Sequence, residues 1–122
     1  MIGYVTLGTN DLPRATKFYD DLLGPMGAKR VMALPRGHAW SAGPGQPMVL
    51  VMTPFDGQPA QRGNGHMTAL ACKSAVQVDE CYQRALSLGA TDEGPNGPRM
   101  PGFYAGYFRD LDGNKLCFFH MG

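Results

Sequence analysis

Apolar residues along this chain follow two periodicities, and each periodicity occurs in both halves of the sequence. Helical spacing predicts a first helix over Leu12–Leu23, with Asn10 or Asp11 as its N-cap and glycine at its end. A second helical stretch follows the capping box formed by Ser74 and Gln77, and it also ends at a glycine. Shorter strand-like runs, separated by turn residues, surround each helix. Each half therefore predicts the order β-α-β-β-β.

The predicted strands fall at matching places in the two halves. A shift of 62 positions lays Tyr4–Leu7 over His66–Ala69, which are the strands before the helices. The predicted strands after the helices are Lys29–Ala33, Ala39–Ala42 and Met48–Thr53 in the first half, and Ala90–Glu93, Phe103–Arg109 and Lys115–His120 in the second. The turn Asp112-Gly113-Asn114 favours a hairpin between the last two strands. The glycine-rich stretch Glu93–Gly102 is predicted to be a loop, either a lid or an ordinary mobile loop.

This duplication predicts one α+β domain over residues 1–122. Module one covers about 1–53, the Gly- and Pro-rich segment 54–65 is a linker, and module two covers about 66–122. Neither half contains enough apolar residues to be stable alone, so we expect the modules to form a single domain.

Charge and composition favour a small-molecule ligand. Eleven basic and ten acidic residues give a formal net charge of +1, without a run that favours nucleic acid or an anionic membrane. No apolar stretch reaches the roughly 20 residues that span a bilayer, and the N-terminus does not resemble a signal peptide, so we expect a cytoplasmic protein. Cys72, Cys81 and Cys117 are widely spaced in apolar stretches and are interpreted as buried, reduced thiols.

Two motifs resemble the vicinal-oxygen-chelate superfamily, which includes glyoxalases, bleomycin resistance proteins and extradiol dioxygenases. The first is Asn10-Asp11-Leu12 opening a helix that ends in Leu22-Leu23-Gly24, and the second is the hairpin Asp110-Leu111-Asp112-Gly113-Asn114. The resemblance runs through essentially the whole chain. It implies two tandem βαβββ modules that form a curved mixed sheet around an open cavity, commonly within a homodimer.

The resemblance also implies four strand positions that hold a divalent metal in the metal-dependent members. They fall on Tyr4, Val49, His66 and Cys117, of which only His66 is a good ligand. We therefore expect no cofactor and no metal of the family type. One alternative is zinc held by His66 and Cys117, with Tyr4 or water completing the coordination.

Strand alternation predicts which side chains share the cavity with Tyr4 and His66. They are Thr6, Thr68, Cys117 and Phe119. We interpret His66 as a candidate base and Tyr4 as a candidate hydrogen-bond donor, with structural roles as the alternatives. His38 and Trp40 share a face, and Trp40 is either a wall of the pocket or a plug at an interface. Arg99 is a candidate contact for an anionic ligand.

Three functions remain open on the sequence alone. The first is a glyoxalase-like domain that binds a small oxygenated or aromatic ligand without the usual metal. The second is a drug-sequestering resistance protein, which the near-neutral charge disfavours because a cationic drug prefers an acidic surface. The third is a lyase, isomerase or dioxygenase with a relocated metal site.

Overall fold

The computed structural model describes residues 1–122, which form two compact units, Met1–Gln61 and Arg62–Gly122. Each unit contains one α-helix and one four-stranded mixed sheet in the order βαβββ, so the predicted fold class is confirmed. The predicted linker is divided, because residues 54–61 belong to the first unit and residues 62–65 to the second. A single domain over residues 1–122 stays a prediction.

The first unit contains β1 (Tyr4–Gly8), α1 (Leu12–Leu23), β2 (Lys29–Leu34), β3 (Gly37–Ser41) and β4 (Met48–Met52). Its sheet has the order β1-β4-β3-β2, with β1 parallel to β4 and the other pairs antiparallel. A carboxylate oxygen of Asp11 caps α1 by accepting a hydrogen bond from the Arg14 amide at 3.1 Å. A short 3-10 helix, Gly24–Met26, follows α1.

The second unit contains β5 (Thr68–Ala71), α2 (Ala75–Ser87), β6 (Thr91–Met100), β7 (Phe103–Arg109) and β8 (Lys115–Met121). Its sheet has the equivalent order β5-β8-β7-β6. The predicted capping box is present, since the Ser74 hydroxyl accepts from the Gln77 amide at 3.1 Å. The Gln77 side chain in turn accepts from the amide of Lys73 at 2.7 Å. Neither α1 nor α2 has the length and apolar character needed to cross a lipid bilayer.

The core of each unit lies between its helix and one face of its sheet. The side chains of α1 that are buried are Ala15, Phe18, Tyr19, Leu22 and Leu23. Those of α2 that are buried are Val78, Cys81, Tyr82 and Ala85. Burial of each large apolar side chain of this kind stabilises the folded chain by about 1.5–3 kcal/mol relative to its exposure. Both stripes recur at helical spacing, the periodicity from which the two helices are predicted.

The prediction of a loop over Glu93–Gly102 is wrong for most of its length, because β6 continues to Met100. Its register against β7 shifts at three places, and β6 is an edge strand that pairs on one side only. Prolines lack an amide donor but are tolerated on an edge strand, whose second side has no partner. The irregular pairing explains why the sequence shows no strand period here.

The predicted hairpin between β7 and β8 is confirmed, and the Asp110 carboxylate organises it. Asp110 is 5 % exposed. It accepts hydrogen bonds from the amides of Asp112 and Asn114 and from the Asn114 side-chain nitrogen, each at 2.9 Å. Gly113 has a φ of 87°, a backbone conformation that favours glycine.

In the first strand and at the start of the helix, the two units are related by a shift of 63 positions, one more than the 62 inferred from the sequence. The helix caps Asp11 and Ser74 are 63 positions apart. The amides that follow the first strands show the same offset of 63 positions. The Thr9 amide donates to Met52, the last residue of β4, and the Cys72 amide donates to Phe119 of β8. Tyr4 therefore corresponds to Met67 rather than to His66. The shift of 62 returns only after the helices, so a single offset could not describe both ends.

Candidate functional site

Tyr4 and Thr6 lie on the same open face of the first sheet, as predicted. Tyr4 is 60 % exposed, and Thr6 is also exposed. Thr6 pairs with Leu50 across the parallel strands, and Leu7 pairs with Val51. Because paired residues point to the same side of a sheet, Leu50 lies on the open face, and the buried Leu7 and Val51 face α1.

His38 and Trp40 lie on the opposite face, so the prediction that Trp40 forms a pocket wall or an interface plug is wrong. Trp40 is 1 % exposed, and its indole nitrogen donates to the Asp20 carboxylate of α1 at 3.0 Å. Its ring lies 5.8 Å from that of Tyr19, and the His38 ring is 6.1 Å from Trp40. Pairing with Val49 of β4 fixes this orientation. The tryptophan therefore belongs to the helix–sheet core.

The first unit contains a groove of about 690 Å³ at the ends of β1 and β4. Its floor includes Thr6 and Met52, and residues 53–61 form much of its wall; the remaining lining residues are Gly8 and Arg36. We call this the first-unit groove. It was not foreseen, because residues 54–61 have the composition of a linker and no strand or helix period.

Asn10 holds the wall of the first-unit groove in place. Its side-chain oxygen accepts a hydrogen bond from the Ala60 amide at 2.6 Å, and its side-chain nitrogen donates to the Ala60 carbonyl at 3.1 Å. A side-chain amide thus pairs with the backbone as a neighbouring strand would. Gly8 permits the approach, since a Cβ built at Gly8 would lie 3.1 Å from the Ala60 Cβ.

Arg36 supplies the positive charge of this groove, and no motif in the sequence marks it as a site residue. It lies in the turn between β2 and β3 and is half-buried. Its guanidinium donates to the Thr53 carbonyl at 2.5 Å and lies 5.3 Å from the centre of the Phe55 ring. Phe55 itself is 89 % exposed. A lone arginine and a lone phenylalanine in polar, Gly- and Pro-rich segments were the available signals, but only the fold brings them together.

In the second unit, Cys117 and Phe119 share the open face of the sheet, as predicted. Cys117 pairs with Ala69 and Tyr107, and the Phe119 ring stacks on Phe103 at 5.8 Å. Cys117 is only 1 % exposed, and burial raises the pKa of its thiol. The thiolate is therefore scarce at neutral pH, which is unfavourable for a nucleophile.

Two further residues of the predicted cavity lie elsewhere. Thr68 pairs with the buried Leu116 and so lies on the helix-facing side, which contradicts its predicted position beside Cys117. His66 is exposed in the segment before β5, rather than within that strand. Both differences follow from the one-residue offset between the two units. The candidate role of His66 as a base stays a prediction.

Arg99 lies on β6 and makes its contacts within the second unit. Its guanidinium is 5.1 Å from the centre of the Tyr107 ring, and the Lys115 ammonium is 5.6 Å from the same ring. Arg99 also donates to the carbonyls of Pro95 and Gly97, the latter at 3.1 Å. These contacts use several donors of Arg99, and its role toward an anionic ligand stays a prediction.

The other two thiols lie in the core beside α2. Cys72 and Cys81 are buried, and none of the three cysteines forms a disulfide. The hydrogen bond from Cys72 and the nearby Arg84 guanidinium, 3.9 Å from the Cys81 sulfur, lower the pKa of Cys81 to about 7. The same thiol pair raises the pKa of Cys72, which is also raised by burial. Their burial agrees with the prediction from the sequence.

The residues at the family's metal positions do not fit a divalent ion. The register makes Leu50, rather than Val49, the first-unit position equivalent to Cys117, because Thr6 pairs with Leu50 and its counterpart Ala69 pairs with Cys117. The four structural positions are thus Tyr4, Leu50, Met67 and Cys117. A phenol, an isobutyl group, a thioether and a buried thiol are a poor donor set for magnesium, manganese or iron. No group of three or more His, Cys, Asp or Glu side chains is arranged to hold a metal.

Comparison with known proteins gives consistent matches over the whole chain. The sequence model of the Glyoxalase/Bleomycin resistance protein/Dioxygenase superfamily matches residues 1–118. A crystal structure of a glyoxalase/bleomycin resistance protein from Albidiferax ferrireducens T118 is 36 % identical, covers 100 % of this chain and 99 % of that chain, and has a TM-score of 0.92. No curated protein sequence matches the chain.

More distant structures have the same fold. A lactoylglutathione lyase from Agrobacterium tumefaciens is 24 % identical, with a TM-score of 0.73 and coverage of 98 % of this chain and 92 % of that chain. A glyoxalase-related enzyme from Fulvimarina pelagi is 19 % identical, with a TM-score of 0.78 and coverage of 98 % and 86 %. At these identities the likeness concerns the fold alone.

Proposed function

Because this chain belongs to the Glyoxalase/Bleomycin resistance protein/Dioxygenase superfamily, we propose that it binds a small oxygenated or aromatic organic ligand in the first-unit groove. The observation that carries this proposal is the composition of the groove, which combines hydroxyl, amide and guanidinium groups with an aromatic ring in about 690 Å³. Ligand sites are commonly clefts of roughly 300–1,000 Å³ with apolar walls and a few polar groups.

The polar groups of the groove suit an oxygenated ligand. Thr6 offers a hydroxyl that both donates and accepts, while Gln58 and Gln61 offer side-chain amides. Phe55 presents an exposed ring on which an apolar or aromatic ligand can stack. Tyr4 lies on the same open face as Thr6, outside the groove lining, and is the candidate hydrogen-bond donor to a ligand that extends along β1.

Binding in this proposal does not depend on a divalent metal at the family's positions. In metal-dependent members such an ion acts as a Lewis acid toward substrate oxygen. The donor set described above does not suit that ion, so recognition is assigned to the side chains of the groove.

A groove-filling variant tests the proposal. We expect small aromatic and aliphatic alcohols, amides and acids to include binders that are detected by isothermal titration calorimetry and by ligand-observed NMR. Thr6→Trp should weaken their binding at least about tenfold, because the larger ring occupies the floor of the groove. Thr91→Trp, at an exposed position of β6, is the matched control and should leave binding unchanged.

Two outcomes contradict the proposal. One is that no member of the panel binds at millimolar concentration. The other is that binders are found but Thr6→Trp and Thr91→Trp have the same affinity for them. Circular dichroism and NMR spectra of both variants must match those of the wild type for either comparison to count.

A further inference from the structure

We propose that the ligand of the first-unit groove is a small organic acid with an apolar or aromatic body, and that Arg36 binds its carboxylate. This inference rests on the proposed function, since it assumes that the groove is the binding site. It adds the chemical class of the ligand and the residue that selects it.

Contacts with Thr53 and Phe55 fix the position of the Arg36 side chain. The turn residue Arg36 and the start of the groove wall are joined by two backbone-mediated contacts, because the Thr53 amide donates to the Arg36 carbonyl at 2.9 Å and the guanidinium donates to the Thr53 carbonyl. The Phe55 ring covers one side of the guanidinium. An arginine held in this way loses little further entropy when it binds a ligand.

Arg36 has no acidic partner within the protein. Other basic residues of the first unit do form ion pairs, among them Arg14 with Asp11, Lys17 with Asp21 and Arg30 with Asp20. A guanidinium carries five N–H donors, and only one of those of Arg36 has a protein acceptor, the Thr53 carbonyl. A half-buried cation with free donors that line a cleft is suited to a carboxylate, which can accept two parallel hydrogen bonds.

Asp56 is the one acidic residue that lines the same groove, and it does not neutralise Arg36. Its carboxylate accepts from the Gln58 amide at 2.9 Å, and no ion pair within 4.0 Å joins it to Arg36. Asp56 is exposed, so water screens its charge. The half-buried Arg36 is screened less and therefore determines the preferred charge of the ligand.

The remaining walls determine the body of the ligand. Beside the polar Thr53, Gln58 and Gln61, they present an apolar surface made of Met52, Pro54, Phe55, Pro59 and Ala60. A strongly hydrated dianion or a sugar would leave these surfaces without a partner, whereas a short aliphatic or aromatic acid covers them. The groove thus favours one carboxylate on an apolar body.

Matched pairs of probes test the inference. Phenylacetate and phenylacetamide have nearly the same shape and differ in charge, as do hexanoate and hexanamide. We expect each acid to bind at least about tenfold more tightly than its amide. This ratio corresponds to the contribution of a charge-assisted hydrogen bond, about 1.4 kcal/mol per tenfold change.

Arg36→Gln removes the charge but keeps a side-chain amide that can still donate to the Thr53 carbonyl. It should weaken acid binding at least about tenfold and leave amide binding unchanged. Arg30→Gln changes the net charge equally on the helix-facing side of the same sheet, where Arg30 pairs with Asp20, and should affect neither probe. Arg36→Lys, which keeps the charge without the planar fork, should give an intermediate affinity for the acids.

The possible failures are distinguishable. If acid and amide bind equally, and Thr6→Trp but not Arg36→Gln abolishes both, the carboxylate inference is wrong and the groove survives as the site. If Arg36→Gln weakens acid and amide by the same factor, Arg36 has only a structural role and the inference is again overturned. If no probe of either kind binds, both the inference and the proposed function fail.

Discussion

Removal of the Asp110 carboxylate should be among the most damaging single changes in the second unit. The carboxylate is almost fully buried and accepts three hydrogen bonds at 2.9 Å within the β7–β8 hairpin. A hydrogen bond to a charged group contributes about 1.5–3 kcal/mol. Asp112 and Asn114 are partly exposed, so water can replace part of what Asp110→Ala removes. We therefore expect a loss of about 3 kcal/mol from a total that is typically 5–15 kcal/mol.

Amide hydrogen exchange provides the sharpest assay for this change. The amides of Asp112 and Asn114 donate to the lost carboxylate and should become unprotected in Asp110→Ala. The Gly113 amide donates instead to the backbone carbonyl of Asp110 at 3.1 Å, so its protection should fall only with the stability of the whole unit. Urea unfolding followed by circular dichroism gives the change in free energy for the chain.

The isosteric variant provides the control. Asp110→Asn keeps the shape and one carbonyl oxygen but loses the charge, and it should cost about 1 kcal/mol. The reasoning is refuted if Asp110→Ala costs less than about 1 kcal/mol, or if Gly113 loses protection to the same extent as its two neighbours while the global stability is unchanged.

Three further changes have defined outcomes. Asn10→Ala should free the Ala60 amide for rapid exchange and weaken ligand binding in the first-unit groove, whereas an unchanged exchange rate would show that the wall does not depend on this clamp. Gly37→Ala should cost at least about 2 kcal/mol in urea unfolding, because its Cβ would lie 2.0 Å from a backbone oxygen of β4, while Gly24→Ala, with nothing within 4 Å, should be near neutral. A hydrogen bond from Arg109 of β7 lowers the pKa of Glu93 below its ordinary value of 4.5. The pair therefore stabilises the folded chain above pH 4.5, and this contribution is lost as the pH falls through the lowered pKa. The stabilities of the wild type and Glu93→Gln should therefore differ at neutral pH and converge in acid.

The sequence predicted best what local signals control. The helices begin at Asp11 and Ser74 because these side chains accept hydrogen bonds from amides that have no partner within the helix. The residues involved lie within one helical turn, so a short stretch of sequence is enough to predict the cap. The hairpin between β7 and β8 was likewise predicted from Asp112-Gly113-Asn114. The wall of the first-unit groove was not predicted, because Asn10 and Ala60, whose hydrogen bonds hold it, are 50 residues apart. The wall also contains no strand, so its sequence shows no strand periodicity.

Register was the main limit for the candidate site, because a one-residue slip moves every side chain of a strand to the other face. An offset of 62 fitted the glycines after the helices, and so it placed Thr68 on the wrong face. The orientation of Trp40 could not be predicted from the sequence either, since either face of a short strand can accept an aromatic ring. Only the pairing of β3 with β4 decides that it meets Asp20 of α1.

With the corrected register, His66 is no longer expected to be a metal ligand at a family position. The position equivalent to Tyr4 belongs to Met67, and His66 lies exposed before β5. Cys117, the remaining candidate donor, is buried. A thioether and one buried thiol supply too few donors to hold a divalent ion, which usually takes three or more protein ligands. Protein purified without chelator should accordingly contain far less than one equivalent of zinc, iron, manganese or nickel by elemental analysis, and His66→Ala should leave that content unchanged. A stoichiometric ion that is lost in His66→Ala would show instead that this exposed imidazole is a ligand and that the register argument does not govern metal binding.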